Sequence, residues 1–193
     1  MPTKTLALSL LSSLLALSSI GCGPTWVVVR QANPNPMVGQ QAFAIQQLSY
    51  ENLFVGDKPE AAWLAGKEPK AVESFNTDKA DSIPIFFTAL DANLRRIGAQ
   101  MVPGPGPGVF LVRPRVTNYE PGSFNGFFDF PTTVKMSVQF MAPNGALLDE
   151  VNFSGVIPAD LYHPSSGQRM RSALGNIGRQ IALYLRTRIT PSG

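Results

Sequence analysis

Thr133-Val134-Lys135-Met136-Ser137-Val138-Gln139-Phe140 alternates without a break: Val134, Met136, Val138 and Phe140 take every second position, with Lys135, Ser137 and Gln139 between them. Successive side chains of a strand point to opposite faces, so this stretch predicts a strand with one face in a core and the other in water. Pro143-Asn144-Gly145 supplies turn chemistry just after it. Leu147, Val151 and Phe153 then resume on the same face of a returning strand, and the pair reads as a hairpin ended by Gly155 and Pro158. Asp149 and Glu150 are adjacent along the second strand, so they point to opposite faces and cannot act as a paired acid and base.

Downstream of the hairpin, Ser165 or Ser166 can cap a long helix whose apolar stripe runs through Met170, Leu174, Ile177, Ile181, Tyr184, Leu185 and Ile189. Upstream, Val109 to Tyr119 reads as a strand with Phe110, Val112 and Val116 on one face, Arg113 and Arg115 on the other, and Pro114 marking an edge or a bulge. Before it, Val102 to Gly108 spaces its glycines with Pro105 and Pro107, which remove the N–H groups a phosphate cradle needs, so the stretch is a loop. A second helix is expected from a cap at Asp81 or Ser82, with Pro84 in its first turn, Ile83, Phe86, Phe87, Leu90, Leu94 and Ile97 at helical spacing, and Gly98 as its stop. Ala42 to Tyr50 reads as a first strand, and Glu60 to Ala65 as one or two helical turns between Pro59 and Pro69. The expected fold is α+β, an antiparallel sheet of about four strands with two main helices packed on one face.

At the other end, Lys4 and the amino terminus precede the apolar run Leu6 to Leu17, the pattern of an export signal. The run is too short and too interrupted by serines for a spanning helix, which needs roughly 18 or more apolar residues. Ser19-Ile20-Gly21-Cys22 resembles the lipobox of bacterial lipoproteins, with Ser19 standing where that pattern usually has leucine. The resemblance implies cleavage before Cys22 and acylation of that cysteine. Gly23, where such lipoproteins carry aspartate for inner-membrane retention, implies onward transport to the outer membrane. An ordinary signal peptide cut nearby is the alternative; Cys22 is the chain's one cysteine, and a lone exported thiol would then need explaining.

The order of elements, with the lipobox ahead and the Pro-Asn-Gly hairpin, resembles small envelope lipoproteins of the transport-auxiliary type, including uncharacterised outer-membrane relatives. The domains expected are a signal peptide at 1–21, a lipidated cysteine and tether at 22–41, and one globular domain at 42–193. Trp26 in the apolar Trp26-Val27-Val28-Val29 either sits among lipid headgroups or packs on the domain as a strand residue.

Charged residues make up 15% of the chain and hydrophobic ones 44%, with a net charge of +3, which fits a packed core and not a nucleic-acid binder. One histidine and one cysteine leave too few ligands for a zinc or iron site, and no cofactor is implied. His163 in Tyr162-His163-Pro164-Ser165-Ser166 suggests a hydrolase only if a nucleophile, an orienting acid and an oxyanion site join it; as a loop residue before a capped helix it needs none of them. Two candidate partner surfaces stand out. Phe124, Phe127 and Phe128 lie in an aromatic loop that either presents an apolar patch or folds back over the sheet. Arg169, Arg171, Arg179 and Arg186 follow Asp160, after which no acidic residue occurs, and form either a basic stripe for an anionic surface or a solvated helix face.

The function these readings favour is a lipid-anchored, non-catalytic envelope protein serving binding or assembly, tied to the membrane through its N-terminal lipid and docking an envelope protein. The alternatives are an auxiliary subunit of a lipid or solute transport system, which needs an unfilled apolar cavity between sheet and helices, and a hydrolase.

Overall fold

The computed structural model describes residues 26–124, 129–160 and 162–191. In chain order its elements are β1 (Trp26–Arg30), β2 (Ala42–Ile45), β3 (Phe54–Val55), β4 (Lys58–Pro59), α1 (Glu60–Leu64), α2 (Pro69–Arg96), β5 (Gln100–Val102), β6 (Phe110–Glu120), β7 (Ser123–Phe124), β8 (Asp129–Phe130), β9 (Thr132–Met141), β10 (Leu147–Ile157) and α3 (Ser166–Ile189). Among the described residues the main sheet has eight strands, in the order β1-β10-β9-β6-β2-β5, with β3 on β6 and β4 on β3; β7 and β8 form a separate ribbon.

The β9–β10 hairpin has the predicted faces: Val134, Met136, Val138 and Phe140 on β9 and Val151 and Phe153 on β10 are buried. Gly145 turns the chain at φ +83°, and the Asn144 side chain accepts from Ala146 N at 3.1 Å. Ser165 caps α3 by accepting from Gln168 N at 3.2 Å. The helix can lie close on the sheet because Gly155 faces it, where a Cβ would stand 2.6 Å from Ala173 O. Gly178 likewise lets α2 approach α3, a Cβ there coming within 2.9 Å of Phe86 O. The two helices pack on each other and, with the buried sheet face, enclose one core from Phe43 through Leu90 and Val112 to Leu185.

The fold class is α+β as expected, but the sheet is larger than four strands and mixed. β2 runs parallel to both β5 and β6, and the chain passes from β2 to β5 through α2, a crossover unit. The first strand expected from Ala42 is present as β2, though it stops at Ile45, while β3 to β5, of two or three residues each, are too short to show a period and left little trace in the sequence.

Two further expectations change. α2 begins at Pro69 and runs 28 residues, so Pro84 lies inside it and not in its first turn. Before Ile83 its buried positions are Phe75 and Ser82 alone, which hid the stripe. The backbone bond that Pro84 removes falls where Ser82 Oγ donates to Lys79 O at 2.7 Å and meets Tyr50 Oη at 2.5 Å, binding this turn to the loop after β2. Pro114 is also central and not at an edge, opposite Val138 within the β6–β9 ladder. On its other side residues 46–48 leave the ladder between Gln46 N, which donates to Val112 O, and Ser49 N, which donates to Pro114 O. A missing N–H therefore costs no bond there.

Candidate docking surfaces and the tethered terminus

The segment after β1 is fastened to the far end of α3 around one buried carboxylate. Asp149 sits on β10 at core parity and is 0% exposed. It accepts from Ala32 N at 2.8 Å, from the Tyr184 hydroxyl at 2.6 Å, and from Arg188 at 2.8 Å through Nε and 3.1 Å through Nη2. Arg188 also donates to Ala32 O at 2.9 Å, while Asn35 Nδ2 donates to Arg188 O and Gly39 N to Ile189 O. A buried ion pair with its remaining donors and acceptors satisfied is stable in place and costly to break from one side. Burial, and then the hydrogen bond to the Asp149 carboxylate, pushes the Tyr184 hydroxyl well above its ordinary pKa. Trp26 packs against Phe153 and Tyr184, both 6.1 Å away between ring centres, so of its two readings the strand side chain packed on the domain holds.

The arginines after Asp160 do not form one stripe. Arg169 is 2% exposed and spends its guanidinium on Thr132 Oγ1 at 2.7 Å and on the carbonyls of His163, Pro164 and Pro121. It therefore leaves the surface and closes the two loops flanking the start of α3. Arg171 is half-buried and pairs with Asp78 on α2 at 2.9 Å. Arg179 and Arg186 are exposed, on the helix face turned away from the sheet. Phe127 and Phe128 lie outside the described residues; Phe124 belongs to β7, and Phe130, at the other side of that loop, is 60% exposed. Cys22 and the apolar run expected to be an export signal also lie outside the described residues.

His163 sits in the turn leading into α3. Its Nδ1 is 3.0 Å from Asp160 Oδ1, and the nearby Ser165 hydroxyl caps the helix. Among the described residues no group of three or more His, Cys, Asp or Glu converges on a metal position, and no helix is long and apolar enough to cross a membrane. The space between sheet and helices, where an apolar cargo would sit, is occupied by fully buried Phe43, Phe86, Phe140, Phe153, Leu90 and Leu174.

Among the described residues the other face of the sheet carries no helix. Across it Arg113 stands opposite Gln139, which stands opposite Glu150 and then Arg30; the next row is Arg115, Ser137, Asn152 and Val27; the next pairs Lys135 with Ser154. Two depressions hollow this face, of about 350 Å³ beside Gln47 and Arg113 and about 470 Å³ beside Lys135 and Asn152, sharing Arg115 and Ser137 between them. Among the described residues Arg113, Arg115 and Lys135 enter no ion pair. Glu150 is held by the Ser137 hydroxyl, which donates to it at 3.2 Å.

No protein-family model and no curated protein matches the chain. Among solved structures it is similar to a minor lipoprotein from Acinetobacter baumannii, at 12% identity and a TM-score of 0.40, over 54% of this chain and 84% of that one. It is similar to a DUF330 protein from Xanthomonas campestris at 9% identity and a TM-score of 0.44, over 83% and 91%. The PelC dodecamer from Paraburkholderia phytofirmans follows at 11% and 0.41, over 81% and 95%. At these scores the likenesses carry no argument about family or activity.

Proposed function

We propose that the chain is a lipid-anchored, non-catalytic accessory protein of the bacterial envelope, acylated on Cys22 and held on the periplasmic side of the outer membrane. The observation that carries this reading is the place of Cys22: the one cysteine of the chain follows an apolar export run and stands four residues before β1. Four extended residues span at most about 14 Å. An acyl group on Cys22 thus keeps the β1 edge of the sheet against the bilayer, and with roughly 0.8 kcal/mol gained per buried methylene, two or more long chains make that hold lasting.

The fastening of residues 31–39 supports the same reading. Through Asp149 and Arg188 it holds the far end of β1 to β10 and α3, so the strand next to the tether belongs to the folded domain. The folded domain is then free to meet an envelope partner. To test the anchor, the full-length chain and its Cys22→Ala variant are expressed in a bacterial host, the membranes fractionated, and the N-terminal peptide of the mature protein weighed. An acylated Cys22 peptide in the outer-membrane fraction, with release of the variant, is the expected result; an unmodified parent in the soluble fraction sinks the proposal.

A further inference from the structure

We infer that the helix-free face of the sheet is the surface this domain lays on the membrane, with Arg113, Arg115 and Lys135 taking the phosphates of anionic lipid headgroups. The inference rests on the anchor reading for its geometry and goes beyond it in naming which face docks and by what chemistry. β1 is the sheet edge that follows the tether, and its first residues lie opposite Phe153 and Asn152. The next row toward the tether is Lys135 with Ser154, two strands in from β1 at most. With strands about 4.8 Å apart, Lys135 stands about 10 Å from that edge, and Arg115 and Arg113 follow along β6.

The apolar residues of this face gather at the same end. Val27 is 67% exposed and Val156 54%, both on the side of the sheet that bears Asn152 and Ser154. Exposed valines beside unpaired cations suit an interface that is apolar below and phosphate-lined above. The acidic groups on this face, Glu51, Glu120 and Glu150, are three against the four cations Arg30, Arg113, Arg115 and Lys135, and Glu150 is already held by Ser137. The exposed arginines of α3 lie on the opposite side of the molecule, beyond both layers.

The test uses residues 22–193 carrying Cys22→Ser, which contain every described element and no acyl chain, so the result does not depend on whether Cys22 is processed in cells. Co-sedimentation is measured with vesicles of phosphatidylcholine alone and with phosphatidylglycerol added. The parent is expected to bind only the anionic vesicles, weakening with salt. Each basic residue near such a surface is worth roughly fivefold in binding, so Arg113→Gln/Arg115→Gln/Lys135→Gln loses on the order of a hundredfold, while Arg179→Gln/Arg186→Gln stays within about twofold of the parent. Lys135→Gln alone, an exposed single change, should lose about fivefold and guards against misfolding of the triple variant. A parent that does not bind, a triple variant that binds like the parent, or an equal loss from the α3 pair overturns the inference.

Discussion

Arg188 and Arg179 are nine positions apart on one helix and have opposite lives. Arg188 is 7% exposed, locked onto Asp149 and Ala32, and belongs to the core; Arg179 is in water. Arg188 follows Tyr184 by four and Ile181 by seven, which puts it on the apolar stripe, whereas Arg179 and Arg186, seven apart, share the outer face. Arg169 teaches a different lesson. It lies off the centre of that stripe and is buried because the chain around Pro121, Thr132 and His163 folds over it. A basic residue near a helix end is thus a surface feature, a core strut or a loop clasp, depending on what surrounds it.

The comparison breaks most visibly at the buried pair. Arg188→Met leaves the Asp149 carboxylate buried without its cation and should cost about 3–5 kcal/mol in urea unfolding, while Asp149→Leu/Arg188→Met together should recover much of that loss. Arg169→Met, which takes the guanidinium donor from the His163 and Pro164 carbonyls while Thr132 Oγ1 still donates to Pro121 O, is expected to cost about 2–3 kcal/mol, and a loss below about 0.5 kcal/mol would deny it a structural role.

A smaller effect comes from alkali. Burial pushes the Tyr119 hydroxyl up to about 12, the carboxylate of Asp78 adding to the rise while the Ser166 hydrogen bond and the Arg169 charge work against it; burial likewise takes Tyr50 to about 12. Because the folded values are raised, the stability these groups confer is intact below the unfolded pKa of about 10 and is lost as pH rises from there through about 12. The unfolding free energy from urea titration should therefore be flat between about pH 8 and 9 and be lower at about pH 11, by roughly 1 kcal/mol per tyrosine. The smallest effect belongs to Arg179→Gln/Arg186→Gln, expected within about 0.5 kcal/mol of the parent in the same measurement.

The hairpin was legible because the eight residues 133–140 of β9 alternate between apolar and polar side chains, and a one-residue slip would turn every apolar side chain outward. α3 was legible for the same kind of reason, a long stripe with a capping serine in front. The first half of α2 was not, since Phe75 is its single large buried side chain before Ser82, and a mostly polar segment does not reveal a helix that tertiary contacts hold. Of the site residues, Asp149 could have been found: it falls at core parity between Leu147 and Val151, and a carboxylate there demands a partner. Arg188 could have been offered as that partner from its place on the stripe. Arg169 could not, because the atoms that bury it come from loops with no periodicity.

By itself the sequence determined the lone cysteine, the hairpin, the last helix and the α+β class. These are local signals, written in neighbouring residues whose spacing matches the period of a strand or a helix. Tertiary structure alone decided that β2 would run parallel between β5 and β6, that Pro114 would be tolerated in a central strand, and which arginines would face water. Each of those depends on groups far apart in the chain meeting in one place, where loop carbonyls take the guanidinium of Arg169 and the missing N–H of Pro114 meets a gap in the ladder, which no spacing rule could point to.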